Sequence, residues 1–242
     1  MTTIVNIDEA LDASGMIAGV SRTLMAKDGT TMEASLLRVA AGSSTEVKVP
    51  AGSDTYWFVI SGAGSIGENG GAGRAVKPQV FAIAAEGSRI TIAATGKEPM
   101  RLLQLISPPP GSGAKIKGYE GPLKLVPAET VALKHEPENK KKRAYFVGPH
   151  AIPSGRAEGL IVHYEPLTVT RPHFHPDADS LFVILEGTLE FTKGREIETI
   201  RPGQAVFINQ GHRHGTSVTP GQSGAAFLEF HVPATFQTIQ DW

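Results

Sequence analysis

The chain has 242 residues, with 23 Lys and Arg against 24 Asp and Glu for a formal net charge of −1, and it contains no cysteine. The near-neutral balance argues against a nucleic-acid or anionic-membrane partner, and the lack of thiols excludes disulfides, thiolate zinc sites and cysteine nucleophiles. The length suffices for one large or two small cores.

The first sixteen residues, MTTIVNIDEALDASGM, carry acids and no basic, continuously apolar leader, so no signal peptide is expected; residues 8–16 have room for one or two helical turns. No apolar run is long enough to span a bilayer, and a soluble cytoplasmic protein is expected. Beyond that start, short runs rich in Val, Ile, Phe and Thr recur between Gly, Pro and Asn or Asp. They include VFAIAAEG (80–87), SRITIAA (88–94), LIVHYEP (160–166), LFVILEG (181–187) and AVFINQG (205–211). Short strands this dense, separated by turn signals, predict an all-β protein, sandwich or barrel. Two of the runs repeat each other. DTYWFVISG from Asp54 to Gly62 and DSLFVILEG from Asp179 to Gly187 stand 125 positions apart, and Pro78 and Gly87 match Pro202 and Gly211 at an offset of 124. A repeat of that period divides the chain into residues 1–110, a linker over 111–143 and residues 144–242. PPPGSG (108–113) leads into the linker, which closes on the basic run Lys140, Lys141, Lys142 and Arg143, read as a solvated loop. His135 and His150 are expected to be exposed, and extended stretches of the linker have room to pair onto a barrel edge.

The chemistry concentrates in the second half. In RPHFHPDADSLFVILEG (171–187), His173 and His175 are two residues apart, so on a strand both imidazoles leave the same face and form half of a metal chelate. In GQAVFINQGHRHG (203–215) an apolar run ends in a glycine turn followed by His212, Arg213 and His214, which offers a third nitrogen ligand. Strand parity puts Arg171 on the face of His173, where it would bind a substrate carboxylate or phenolate, unless it is a rim residue in water. His163 with Glu165, and Glu229 with His231, are pairs that each share one face. Either pair would orient an imidazole if it points inward, and apolar residues flank both, which leaves the face open. Phe182, Ile184 and Phe207 are expected in the core.

These spacings resemble the two motifs of the cupin superfamily. The first is a His-x-His pair followed by a Glu seven residues before a Gly, the second a Pro-x-Gly turn with His three residues on. His173, His175, Gly187, Gly211 and His214 match, while Ser180 stands at the Glu position and Asn209 at the Pro, which leaves His212 as a group at the rim or behind the ligands. The resemblance implies two tandem jelly-roll β-barrels. The second would hold one divalent transition metal on His173, His175 and His214, iron first, with manganese, nickel, zinc or copper as the other candidates. Asp179, one place from the Glu position, is the candidate fourth ligand or, failing that, a general base. In the first barrel Lys48, Pro50 and Ile90 stand opposite the three histidines, so no metal is expected there. The implied function is a dioxygenase-type oxidoreductase acting on a small anionic, oxygen-chelating substrate. The alternatives are a redox-neutral isomerase, decarboxylase or other lyase, or hydrolase, and a non-catalytic small-molecule binder. The expected partner is a small-molecule substrate and not nucleic acid or membrane, with monomer and homodimer both open.

Overall fold

The central strands of the larger sheets, such as Asp54–Ser61 and Asp179–Glu186, are buried almost throughout, while strands of the smaller sheets alternate buried and exposed residues. In Arg89–Ala94, for example, Ile90, Ile92 and Ala94 are buried and the residues between them are not, the period-two pattern of a strand with one face in a core. The computed structural model describes residues 2–25 and 31–240, with one α-helix, Ile7–Ala13, and two short 3₁₀ turns among them. The strands form four sheets in which all ladders between named strands are antiparallel, and the chain divides into two compact units.

One unit comprises residues 8–130 and 153–156. Its larger sheet runs in the order Lys124–Pro127, Val80–Ala84, Asp54–Ser61, Met100–Ser107, Glu33–Val39, Val20–Leu24, and its smaller sheet Ser44–Lys48, Arg89–Ala94, Gly64–Glu68, Arg74–Val76. Trp57, Ile66, Ile90, Ile92, Met100 and Leu102 fill the interior; each such side chain contributes roughly 2–3 kcal/mol by leaving water. Trp57 donates its indole N–H to Gln104 Oε1 at 3.0 Å, which satisfies both buried polar groups. Lys48 lies on the exposed side of its strand, while Ile90 is fully buried.

The other unit comprises residues 1–7, 131–152 and 157–242. Its larger sheet runs Thr2–Asn6, Gln204–Ile208, Asp179–Glu186, Ala225–Val232, Glu158–Tyr164, Lys141–Val147, Lys134–Glu136. Its smaller sheet runs Glu196–Ile200, Leu189–Lys193, His214–Val218, Val169–Phe174, Ile239–Gln240. The repeat holds in three dimensions. Ser180 pairs with His231 and Phe182 with Glu229 as Thr55 pairs with Ile106 and Trp57 with Gln104, all at the offset of 125. Gly62 and Gly187 close the two equivalent strands at φ +79 and +73, and a Cβ there would collide with the carbonyl oxygens of Pro99 and Gly224. Only glycine fits such a turn.

The boundaries differ from 1–110, 111–143 and 144–242. Thr2–Asn6 pairs with Gln204–Ile208, and Lys124–Pro127 pairs with Val80–Ala84 at the equivalent edge of the other unit. Each sheet edge thus recruits a strand from outside its own repeat, which covers backbone groups that would otherwise be unpaired. Nor is the basic run a solvated loop. Lys141–Val147 is a strand paired on both sides, and Lys141 and Arg143 are half-buried. The other expectations of burial hold: His135 and His150 are exposed, and Ile184 and Phe207 are buried. Among the described residues no helix is long and apolar enough to cross a membrane.

Candidate metal centre

His173 and His214 are cross-strand partners in the smaller sheet, and His175 follows His173 by two positions, so the three imidazoles meet over one patch of the barrel interior. Their ligand nitrogens all lie within 4.8 Å of one another. Backbone carbonyls fix each ring. His173 Nδ1 lies 2.8 Å from Arg171 O, His175 Nδ1 2.9 Å from Gln237 O, and His214 Nδ1 2.9 Å from His212 O. A neutral ring that donates its Nδ1–H carries its lone pair on Nε2, the tautomer of a metal ligand. The Nε2 atoms of His175 and His214 are buried and have no hydrogen-bond partner. Two orphaned lone pairs at one point in an interior are costly unless a cation takes them, so the donor set fits a divalent transition metal.

Burial pushes the imidazoles below their usual range, His173 downward, His175 to about 4 and His214 to about 3. An unfolded imidazole titrates near about 6.5, so the unfolded chain takes up protons first as the pH falls. The contribution of the neutral rings is complete above that value and is lost as the pH drops toward the folded ones. In chelator-treated protein we expect stability to fall by about 3 kcal/mol or more between roughly pH 6.5 and 5, about half of it from each of His175 and His214, and the fall to shrink in His214→Ala. Equal pH slopes for the two proteins in urea unfolding would contradict this.

Around the imidazoles lies a cavity of about 270 Å³ lined by Phe182, Glu229, His231, Lys141 and Arg143 among others. Glu229 Oε1 stands 3.3 Å from His231 Nε2, and His231 Nδ1 is 2.9 Å from Ser180 Oγ. Burial alone would raise the Glu229 carboxyl. The charges of His231, Arg143 and Lys141 and the hydrogen bond to His231 outweigh it and hold the group at about 2, ionised. Ser180, at the position where the motif has Glu, therefore holds the imidazole of the neighbouring strand, and the carboxylate of the cavity comes from that strand instead. Phe236 packs on both His175 and His231, with ring centroids at 4.8 and 4.3 Å. Thr238 and Gln240 complete that wall.

The site differs from the sequence expectation at several residues. Arg171 is exposed and does not line the cavity. The pairing of its strand shifts register between Thr170 and His173, and such an irregularity breaks the two-residue parity that placed Arg171 beside His173. Asp179 is buried and its carboxylate accepts the Gln210 N–H at 2.9 Å. It belongs neither to the group of converging donors nor to the cavity lining, because as first residue of its strand it faces the turn that follows the neighbouring one. Phe182 is buried in the core as expected and in addition lines the cavity. Of the two undecided pairs, Glu229 with His231 points inward, while Glu165 is exposed with a carboxylate 3.3 Å from Lys142 Nζ. His212 is exposed, at the rim as expected. The cations inside are Lys141 and Arg143. Their signal was present in KKRAYFV (141–147), where 141, 143 and 145 alternate with the buried Ala144 and Phe146.

Residues 160–231 match the family model for the cupin domain. Protein Ylba from E. coli is similar in structure, with a TM-score of 0.74 at 13% identity over 97% of this chain and 91% of that one. A cupin 2 conserved barrel domain protein from Leptotrichia buccalis has a TM-score of 0.71 at 14% identity, over 95% and 96%. The oxalate decarboxylase of Lactobacillus farciminis, in a formate complex, has a TM-score of 0.70 at 12% identity, over 98% and 88%. At such identities the likeness is one of fold. No curated protein matches the chain by sequence. The cupin domain is thus matched across the strands that carry the histidines, and the cupin barrel fold is shared along nearly all of the chain.

Proposed function

We propose that the protein is a metal-dependent enzyme acting on a small anionic substrate that chelates through oxygen, with dioxygenase-type oxidation as its reaction. The observation that carries this reading is the convergence of three neutral imidazoles with no carboxylate among the converging donors. His173, His175 and His214 would hold one divalent transition metal, iron first, with manganese, nickel, zinc or copper as the other candidates. Such an ion supplies Lewis acidity and, if redox-active, oxygen activation. Neutral ligands leave its charge to be met by the substrate, which favours enolates, catecholates and hydroxy acids. Phe182 and Phe236 limit water at the site, and Phe236 with the Gln237 carbonyl keeps His175 oriented.

A second reading has its own support. Glu229, paired with His231 inside the cavity, is placed to accept a proton from a substrate hydroxyl or from a carbon beside a carbonyl. Isomerisation and decarboxylation need such a group and no oxygen. The fold is shared with oxalate decarboxylases, so decarboxylation lies within its reach. Turnover of catechol, acetylacetone and 2-hydroxy and 2-keto acids by iron-loaded protein, followed with an oxygen electrode in air and by product analysis under argon, separates the two. Oxygen uptake matched to product is expected. Product formed at an undiminished rate under argon would replace oxidation with the redox-neutral reading. Metal bound without turnover of any of these would leave a binding barrel.

A further inference from the structure

We propose that Arg143 and Lys141 form a carboxylate subsite, so that the substrate is a small organic acid bearing one carboxylate beyond the oxygens that chelate the metal. The inference deepens the metal-centre reading and rests on it for the position of the rest of the substrate. The subsite itself is built by the strand Lys141–Val147. Its alternation sends Lys141, Arg143 and Tyr145 to the cavity, while Lys142 turns outward to Glu165.

Two cations on one wall, both half-buried, repel each other and lose hydration, a cost that anionic partners must offset. The partners within the protein are incomplete. Arg143 Nη1 lies 3.0 Å from Glu136 Oε1 and 3.5 Å from the Tyr145 hydroxyl, while its Nε is buried with no partner. Lys141 Nζ donates to the Thr170 hydroxyl at 2.7 Å and sits 5.0 Å from the centre of the Tyr164 ring, both neutral groups. The carboxylates facing the cavity are Glu229, whose charge acts on both cations but whose short contact is with His231, and Glu158, whose ionisation burial disfavours. What remains is an arginine with one edge of its planar fork unmet beside an ammonium. A carboxylate matches that edge with paired hydrogen bonds, and a cavity of about 270 Å³ admits a small acid. Arg171, the cation that strand parity suggested for this task, is outside the cavity.

Lactate and malate test the assignment, because both chelate as 2-hydroxy acids and malate adds one carboxylate. Dissociation constants are measured by titration calorimetry on zinc-reconstituted wild type, Arg143→Gln, Arg143→Lys and Lys141→Met, with zinc content and melting temperature recorded for each. We expect wild type to favour malate by about tenfold or more, the worth of one charge-assisted contact. The ratio should fall to within about threefold in Arg143→Gln and Lys141→Met, with zinc content unchanged, and Arg143→Lys should lie between. A malate preference intact in both neutral variants, equal binding of the two acids by wild type, or binding of neither by zinc-loaded wild type would overturn the subsite while leaving the metal centre standing. Wild type that takes up no zinc but still favours malate through Arg143 would support the subsite and sink the metal-centre reading. If Arg143→Gln does not fold, Lys141→Met decides.

Discussion

Purified His214→Ala protein is expected to hold no metal under conditions in which wild type holds about one equivalent, with affinity reduced by at least about a hundredfold. His214 has little room to be replaced from nearby. Its Nδ1 lies 2.9 Å from the His212 carbonyl, and the ring stands 4.4 Å from that of His173 and 5.3 Å from that of His175. Removing it leaves two nitrogens from one short stretch of chain, His173 and His175, which is half of a chelate. The strand pairing of His173 with His214 does not need the side chain, so the fold should survive. His175→Ala should behave alike. His212→Ala should keep the metal, because the rim ring is exposed and only its carbonyl enters the site. Elemental analysis of untagged protein, followed by zinc titration against a competing chelator, reads all of these. Full metal content in His214→Ala would remove the centre as described.

The second large effect is expected in the first unit. Asp54 is wholly buried and accepts hydrogen bonds from Tyr56, Ser154, the Tyr119 N–H and Arg156 Nη1, at 3.1, 2.8, 2.9 and 2.8 Å. Arg156 is itself almost buried. Asp54→Ala removes the acceptor shared by a guanidinium, a backbone N–H and two hydroxyls inside the unit, and a broken buried pair of this kind costs about 3–5 kcal/mol. Trp57 lies in that core, so its fluorescence during urea unfolding, in a Trp242→Phe background, reports on this unit. A midpoint within error of wild type would show that the network contributes nothing. Its worth is that of the intact set, since exchanging the whole group for apolar residues can be neutral.

Strand placement, the repeat and the three converging histidines could be read from the chain because each depends on local pattern. Apolar alternation marks a face of a strand, and glycines at equivalent turns mark where the two copies end. The His-x-His spacing is local as well, and its partner His214 follows a turn whose glycine is recognisable. Lys141 and Arg143 escaped because a basic run is more often solvated, and the alternating Ala144 and Phe146 that contradict this are too few to outweigh that rule. Arg171 was misplaced because parity assumes an unbroken ladder, and the shift before His173 leaves no mark in composition.

The sequence by itself determined an all-β chain of two related halves, one of them with histidines at chelating spacing and the other without. Only the tertiary structure decided which carboxylate and which cations share the cavity. Glu229 and His231 are flanked by apolar residues on both faces of their strand, so their direction follows from the pairing with Phe182 and Ser180. The edges were decided there too, since Thr2–Asn6 lies beside Gln204–Ile208, about two hundred positions away in the chain. Backbone hydrogen bonding is satisfied by any strand of suitable length, and no local residue pattern names the partner.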